Sequence, residues 1–166
     1  MDVYRKYDEL HGVEDQIGLR GCYQIALLDA KTGRELQRVK IDNVVVTSGR
    51  RYVLSRLVSN APQTDTMNAI SVGTSTTAPA TGDTILGSEA LRIAIASFDT
   101  SNMTSNPPSW NAQCTFATNQ ANTTLGEAGL FNSTASNVQT MLSHVTFAII
   151  NKTTSNTLAI TYTISN

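Results

Sequence analysis

Only two side chains in this sequence have an unperturbed pKa suited to moving a proton near neutral pH, His11 and His144. His11 lies in a charged N-terminal stretch. His144 stands between Leu142 and Thr146 on what reads as one face of a strand, a place where a lone histidine is structural. There is no His-x-x-x-His, no Cys-x-x-Cys and no clustering of Asp and Glu, so no metal site reaches its ligand count. Paired carboxylates for glycoside cleavage would have to come from Asp83, Glu89, Asp99 and Glu127. Glu127 lies between apolar residues in LGEAGLF, 125–131. It is expected to be held in the fold by accepting from backbone N–H groups or from Arg92; the competing reading is a hydrolytic pair with Glu89. Gly-x-Ser-x-Gly is absent. Val72-Gly-Thr-Ser-Thr lacks the second glycine and the lysine of a phosphate loop, and no helix is expected to follow it.

The elements that must position these residues are mostly strands. Tyr23, Ile25 and Leu27 alternate, Asp29–Gly33 is a turn with Gly33 at positive φ, and Leu36, Val39 and Ile41 resume with a broken alternation that predicts a bulge. Val44–Val46 is a β-branched run. One helix is expected near Thr47–Ser59, capped by Thr47 or Ser48, with Val53 and Leu57 facing the core. From Met67 on, strands are predicted at 69–72, 88–98, 110–116, 125–131, 141–149 and 157–164, separated by Gly, Pro, Asn and Ser loops. The spacing predicts an all-β, mainly antiparallel sandwich or barrel over residues 20–166, with one short helix. Residues 1–19 read as a separate arm. Val3, Tyr4, Tyr7 and Leu10 recur there at helical spacing, and Gly12 and Gly18 would end any helix. The arm is either a frayed terminus or a segment that docks on a neighbouring subunit through Tyr4, Tyr7 and Leu10.

With 166 residues and 40% hydrophobic content the chain buries a core without needing disulfides or metals. Charged residues are only 15%, below the roughly 25% usual in soluble domains, and Ser, Thr, Asn and Gln replace them. A net charge of −1 offers no basic field for nucleic acid. No apolar run reaches membrane-spanning length, and MDVYRKYDELHG has no secretory core, which implies a protein kept in a cytoplasm unless carried out in a particle. Cys22 and Cys114 are expected to be buried, reduced thiols, though the sequence leaves a disulfide between them open. No cofactor is expected.

The order of parts in 69–92 and 125–131 resembles the attachment domain of bacteriophage tail-fibre and tail-collar proteins. Ser71-Val72-Gly73 ends a strand, a Thr- and Pro-bearing loop follows, and Thr84, Leu86, Glu89 and Arg92 precede Glu127-Ala-Gly129-Leu-Phe131. The resemblance implies that Gly73, Glu89, Arg92, Glu127 and Gly129 are fold-defining rather than catalytic. It also implies a virion structural protein, assembled in the host cytoplasm, with other virion proteins as partners and a homotrimeric state. The chain departs from that family in having its own arm and first hairpin, and no β-helical shaft or receptor-binding tip follows the motif. A stand-alone tail or neck appendage or adaptor is therefore expected, with a capsid decoration protein as the alternative. A module binding host-surface glycans is the second alternative; there an exposed Trp or Tyr would matter, but Trp110 alternates as a core residue.

Overall fold

Strands β1 (Arg20–Asp29), β2 (Glu35–Asp42), β7 (Ser109–Phe116) and β10 (Asn156–Ser165) join a short β6 (Ser97–Asp99) in one antiparallel sheet, ordered β2-β1-β10-β7-β6. The second sheet takes β3 (Val44–Val45), β9 (Met141–Asn151), β8 (Thr124–Phe131), β4 (Ala69–Gly73) and β5 (Glu89–Ala94), ordered β3-β9-β8-β4-β5. The computed structural model describes residues 18–57, 65–136 and 139–166. The fold is a β-sandwich, not a closed barrel. The arm positions Tyr4, Tyr7 and Leu10 lie outside the described residues.

The core between the sheets follows the alternation. Tyr23, Ile25 and Leu27 of β1, Ala112, Cys114 and Phe116 of β7, and Leu158, Ile160 and Tyr162 of β10 face Ile70, Val72, Ala128, Leu130 and Val145 of the second sheet. Tyr23 and Ser143 hydrogen-bond hydroxyl to hydroxyl across the interior, 2.9 Å apart. Gly33 takes φ +70° in the first turn. The predicted bulge is present: Leu27 pairs with Gln37 and Leu28 with Glu35, which leaves Leu36 unpaired and exposed.

Three expectations are corrected. The segment 88–98 is two strands rather than one. β5 pairs with β4, the chain crosses at Ile95 and Ala96, and β6 pairs with β7 in the opposite sheet. At the crossing Ile95 N–H donates to Asn68 and Ala96 N–H to Gln113, so the switch leaves neither amide orphaned.

The helix, α1, spans Thr47–Ser55, and Val46 at its N-cap makes no side-chain cap bond; positions 58 and 59 of the expected range lie outside the described residues. Ser48 Oγ donates instead to Met141 O at 3.0 Å, and Thr47 N–H donates to Thr81 O at 2.7 Å. Gly49 is the helix's buried residue, packed on the Leu142 backbone. That close approach fixes the buried face, so Val53 is partly buried while Leu57, beyond the helix end, is 75% exposed.

Cys22 and Cys114 are both free, but only Cys114 is buried. Tyr23, Ile25 and Leu27 point inward, so period-two alternation turns Cys22 to the other face of β1, where it is half-buried.

Candidate functional site

Ser71, Gly73, Glu89, Arg92, Glu127 and Gly129 from the two motifs fall in adjacent rows across the outer face of the second sheet. One row runs Thr146–Glu127–Gly73–Glu89 and the next runs His144–Gly129–Ser71–Arg92. Glu89 and Arg92 are three residues apart and would normally point to opposite faces of a strand. The irregularity that pairs Leu91 with Val72 but Glu89 with Gly73 skips Ala90 and brings both side chains to one face.

Glu127 is fully buried. Its carboxylate accepts from Ser88 N–H at 2.7 Å, Gly87 N–H at 2.9 Å and Ser75 N–H at 3.3 Å. His144 Nε2 lies 3.0 Å from its Oε2, and His144 Nδ1 lies 2.7 Å from Asp83 Oδ2. Asp83 in turn accepts from Ala80 N–H at 2.8 Å. The long connection 74–88 is therefore strapped to the sheet at both ends by Glu127 and in its middle by Asp83 through the imidazole. Burial of Asp83 acts to raise its pKa, but the Ala80 N–H and His144 outweigh that and hold it below the usual carboxylate value.

Gly73 makes room for this clasp. A Cβ there would fall far inside van der Waals contact with Glu127 Oε1 and Ser88 O. Gly129 does the same for the satellite core: a Cβ would lie 2.9 Å from the Phe131 ring and 3.0 Å from Leu86. That small core, Val46, Ala69, Leu86, Phe131 and Met141, sits under the strap on the outer face of the sheet.

Arg92 does not reach Glu127. Its guanidinium donates through Nε and Nη2 to Glu89, at 3.1 and 2.6 Å. Nη1 donates to Ser133 O at 3.1 Å, Ala135 O at 3.3 Å and Gln139 Oε1. The same group stacks 3.7 Å from the centre of the Phe131 ring. Arg92 thus anchors the connection after β8 as Glu127 anchors the one after β4. Of the two alternatives for Glu127, the backbone N–H groups are its partners, and Glu89 is engaged by Arg92.

Chemically, the arrangement holds more than it offers. Both His144 nitrogens face carboxylate oxygens, and the ring donates to both only when both carry protons. Among the described residues no group of three His, Cys, Asp or Glu side chains could hold a metal ion. No described helix is long and apolar enough to cross a membrane.

The parts that sequence reasoning missed are Asp83 and His144 as a linked pair, and the Ser75, Gly87 and Ser88 amides. No spacing connects positions 83, 127 and 144. The one available signal was the length of 74–88, since a long connection in a compact domain needs anchors.

An open cleft of about 550 Å³ lies between α1 and the strap, lined by Thr47, Ser48, Arg51, Tyr52, Ser55 and Thr84. Trp110 is half-buried rather than a full core residue, packing against Phe98 at 5.9 Å and Tyr162 at 6.1 Å. No protein family, no curated protein and no solved structure matches this chain.

Proposed function

We propose that the chain is a non-enzymatic structural protein of a bacteriophage particle, displayed on the surface as a fibre-like tail or neck appendage or adaptor. The observation that carries this reading is the clasp. Gly73, Glu89, Arg92, Glu127 and Gly129 of the attachment-domain-like motif converge on one face, and there Glu127, His144, Asp83, Glu89 and Arg92 bond to one another, to backbone and to Gln139. A catalytic pair would need a carboxylate open to substrate, whereas Glu127 is fully buried. The working state is a homotrimer, and a surface poor in charge has little to desolvate when copies pack together.

Mass spectrometry of purified particles tests the reading, together with light scattering of the isolated protein. The protein is expected at a copy number divisible by three and as a trimer in solution. Its absence from particles would sink the proposal, and cleavage of a polysaccharide, peptidoglycan or peptide that is lost in Glu127→Gln would make it an enzyme. Placement on the capsid instead of the tail would select the decoration alternative. The cleft beside α1 favours a second reading, host-glycan binding, because hydroxyls surround Arg51 and the Tyr52 ring there. A glycan array in which Arg51→Ala and wild type give the same empty result would dismiss it.

A further inference from the structure

The structure has an apolar groove of about 390 Å³ at one end of the sandwich, walled by Leu19, Val53, Leu57, Met103, Trp110 and Ile164. Leu57 and Met103 on its sides are 75% and 53% exposed. We propose that this groove is the seat of the chain's own N-terminal segment, residues 1–17.

Three observations select that occupant. The first is position: Leu19 is itself a wall of the groove, so the segment leaves the domain at the rim and needs no linker to reach it. A tethered segment faces its seat at an effective concentration in roughly the millimolar range, an advantage that a second copy lacks in dilute solution. The second is reach. Leu10 is nine residues from Leu19. That stretch spans about 30 Å extended and about 14 Å as helix, enough in either form to turn back at Gly12 or Gly18. The third is chemistry. Val3, Tyr4, Tyr7 and Leu10 form an apolar stripe at helical spacing, matched to apolar walls. Residues 1–17 carry five acidic side chains against two basic ones, and Arg56 lines the groove. The proposal is independent of the virion reading, because it concerns the chain before any partner is met.

Cysteine pairing in the full chain tests it. In a Cys22→Ser background, Tyr7→Cys and Leu57→Cys are introduced together and mildly oxidised. A disulfide within one chain, seen as an unshifted monomer on a non-reducing gel and a mass loss of about 2 Da, is the expected result. A disulfide between chains would overturn the proposal in favour of exchange between copies, and two free thiols would overturn it outright. A second measurement does not depend on disulfide geometry. Maleimide labelling of Leu57→Cys in the full chain, again with Cys22→Ser, is expected to accelerate about tenfold when Tyr4→Ala, Tyr7→Ala and Leu10→Ala are added, the ratio produced by losing about 1.4 kcal/mol of docking. Equal rates would overturn the proposal.

Discussion

His144 Nε2 stands 3.0 Å from Glu127 Oε2 inside the protein, and the other ring nitrogen stands on Asp83. The pair ties β8 to β9 through side chains as well as through the ladder. It also converts a buried carboxylate, costly when alone, into the hub that holds residues 74–88.

Glu127→Gln is expected to destabilise the fold by roughly 1.5–3 kcal/mol, because the amide brings two donors to a site already filled with donors. For a chain of this size that lowers Tm by about 3–12 °C. Thermal unfolding followed by circular dichroism measures it, and an unchanged Tm would contradict the clasp.

Glycine substitutions should separate by site. Gly73→Ala drives a methyl into Glu127 and the Ser88 carbonyl and is expected to cost about 3 kcal/mol or more. Gly33→Ala meets open space but must hold φ +70°, at a cost of about 1–2 kcal/mol. Gly82→Ala has open space and no such φ, and should fall within about 0.5 kcal/mol of wild type. Urea midpoints for the three variants give the order directly.

Acid should loosen the strap. The folded-state pKa of Asp83 lies below its unfolded value, about 3.9. As pH falls the unfolded chain therefore takes up this proton first, so the contribution is full above about pH 5 and fades as pH drops through the folded value. Asp29, held down by Thr32, and Asp99, held down by Ser101, behave alike in any variant of position 83. Asp83→Asn should accordingly show a shallower loss of stability between about pH 5 and pH 2, read from urea midpoints across a pH series. A curve parallel to wild type would mean that Asp83 does not act on stability.

The two thiols should differ in reactivity. Burial pushes Cys114 up to about 12, while Cys22 is half-buried and raised by burial and by neighbouring Asp42. In the folded protein maleimide should modify Cys22 alone, with Cys114 reacting only after denaturation. Peptide mass mapping of the labelled sites checks this, and reducing agent should leave Tm unchanged.

Much of the sandwich is legible from period-two alternation, as in Trp110–Phe116 and Leu158–Ile164, because each of those strands buries one face only. Alternation gave no sign that 88–98 changes sheets, since a strand crossing an edge keeps its own periodicity while its partners change. The helix was legible in existence but not in length: after Ser55 the Arg56 and Leu57 amides bond to carbonyls three residues back, Val53 and Leu54, a tightening that no helical period encodes. Within the clasp, Glu127 was readable as a charge among apolar neighbours. Its bond to His144 arises from strand pairing, Gly129 opposite His144, and pairing partners far apart in sequence leave no local trace.

The pairing of β1 with β10 sets a limit on timing. Arg20 lies opposite Ser165, and the two strands form the middle of their sheet. The inner strands of that sheet cannot all close until residues 156–165 have left the ribosome. On the chain's way to the folded state the β1–β2 hairpin waits with one edge unpaired. Contacts of such long sequence separation make for slow folding, so the hairpin is the segment most exposed to capture by a chaperone or by another nascent copy.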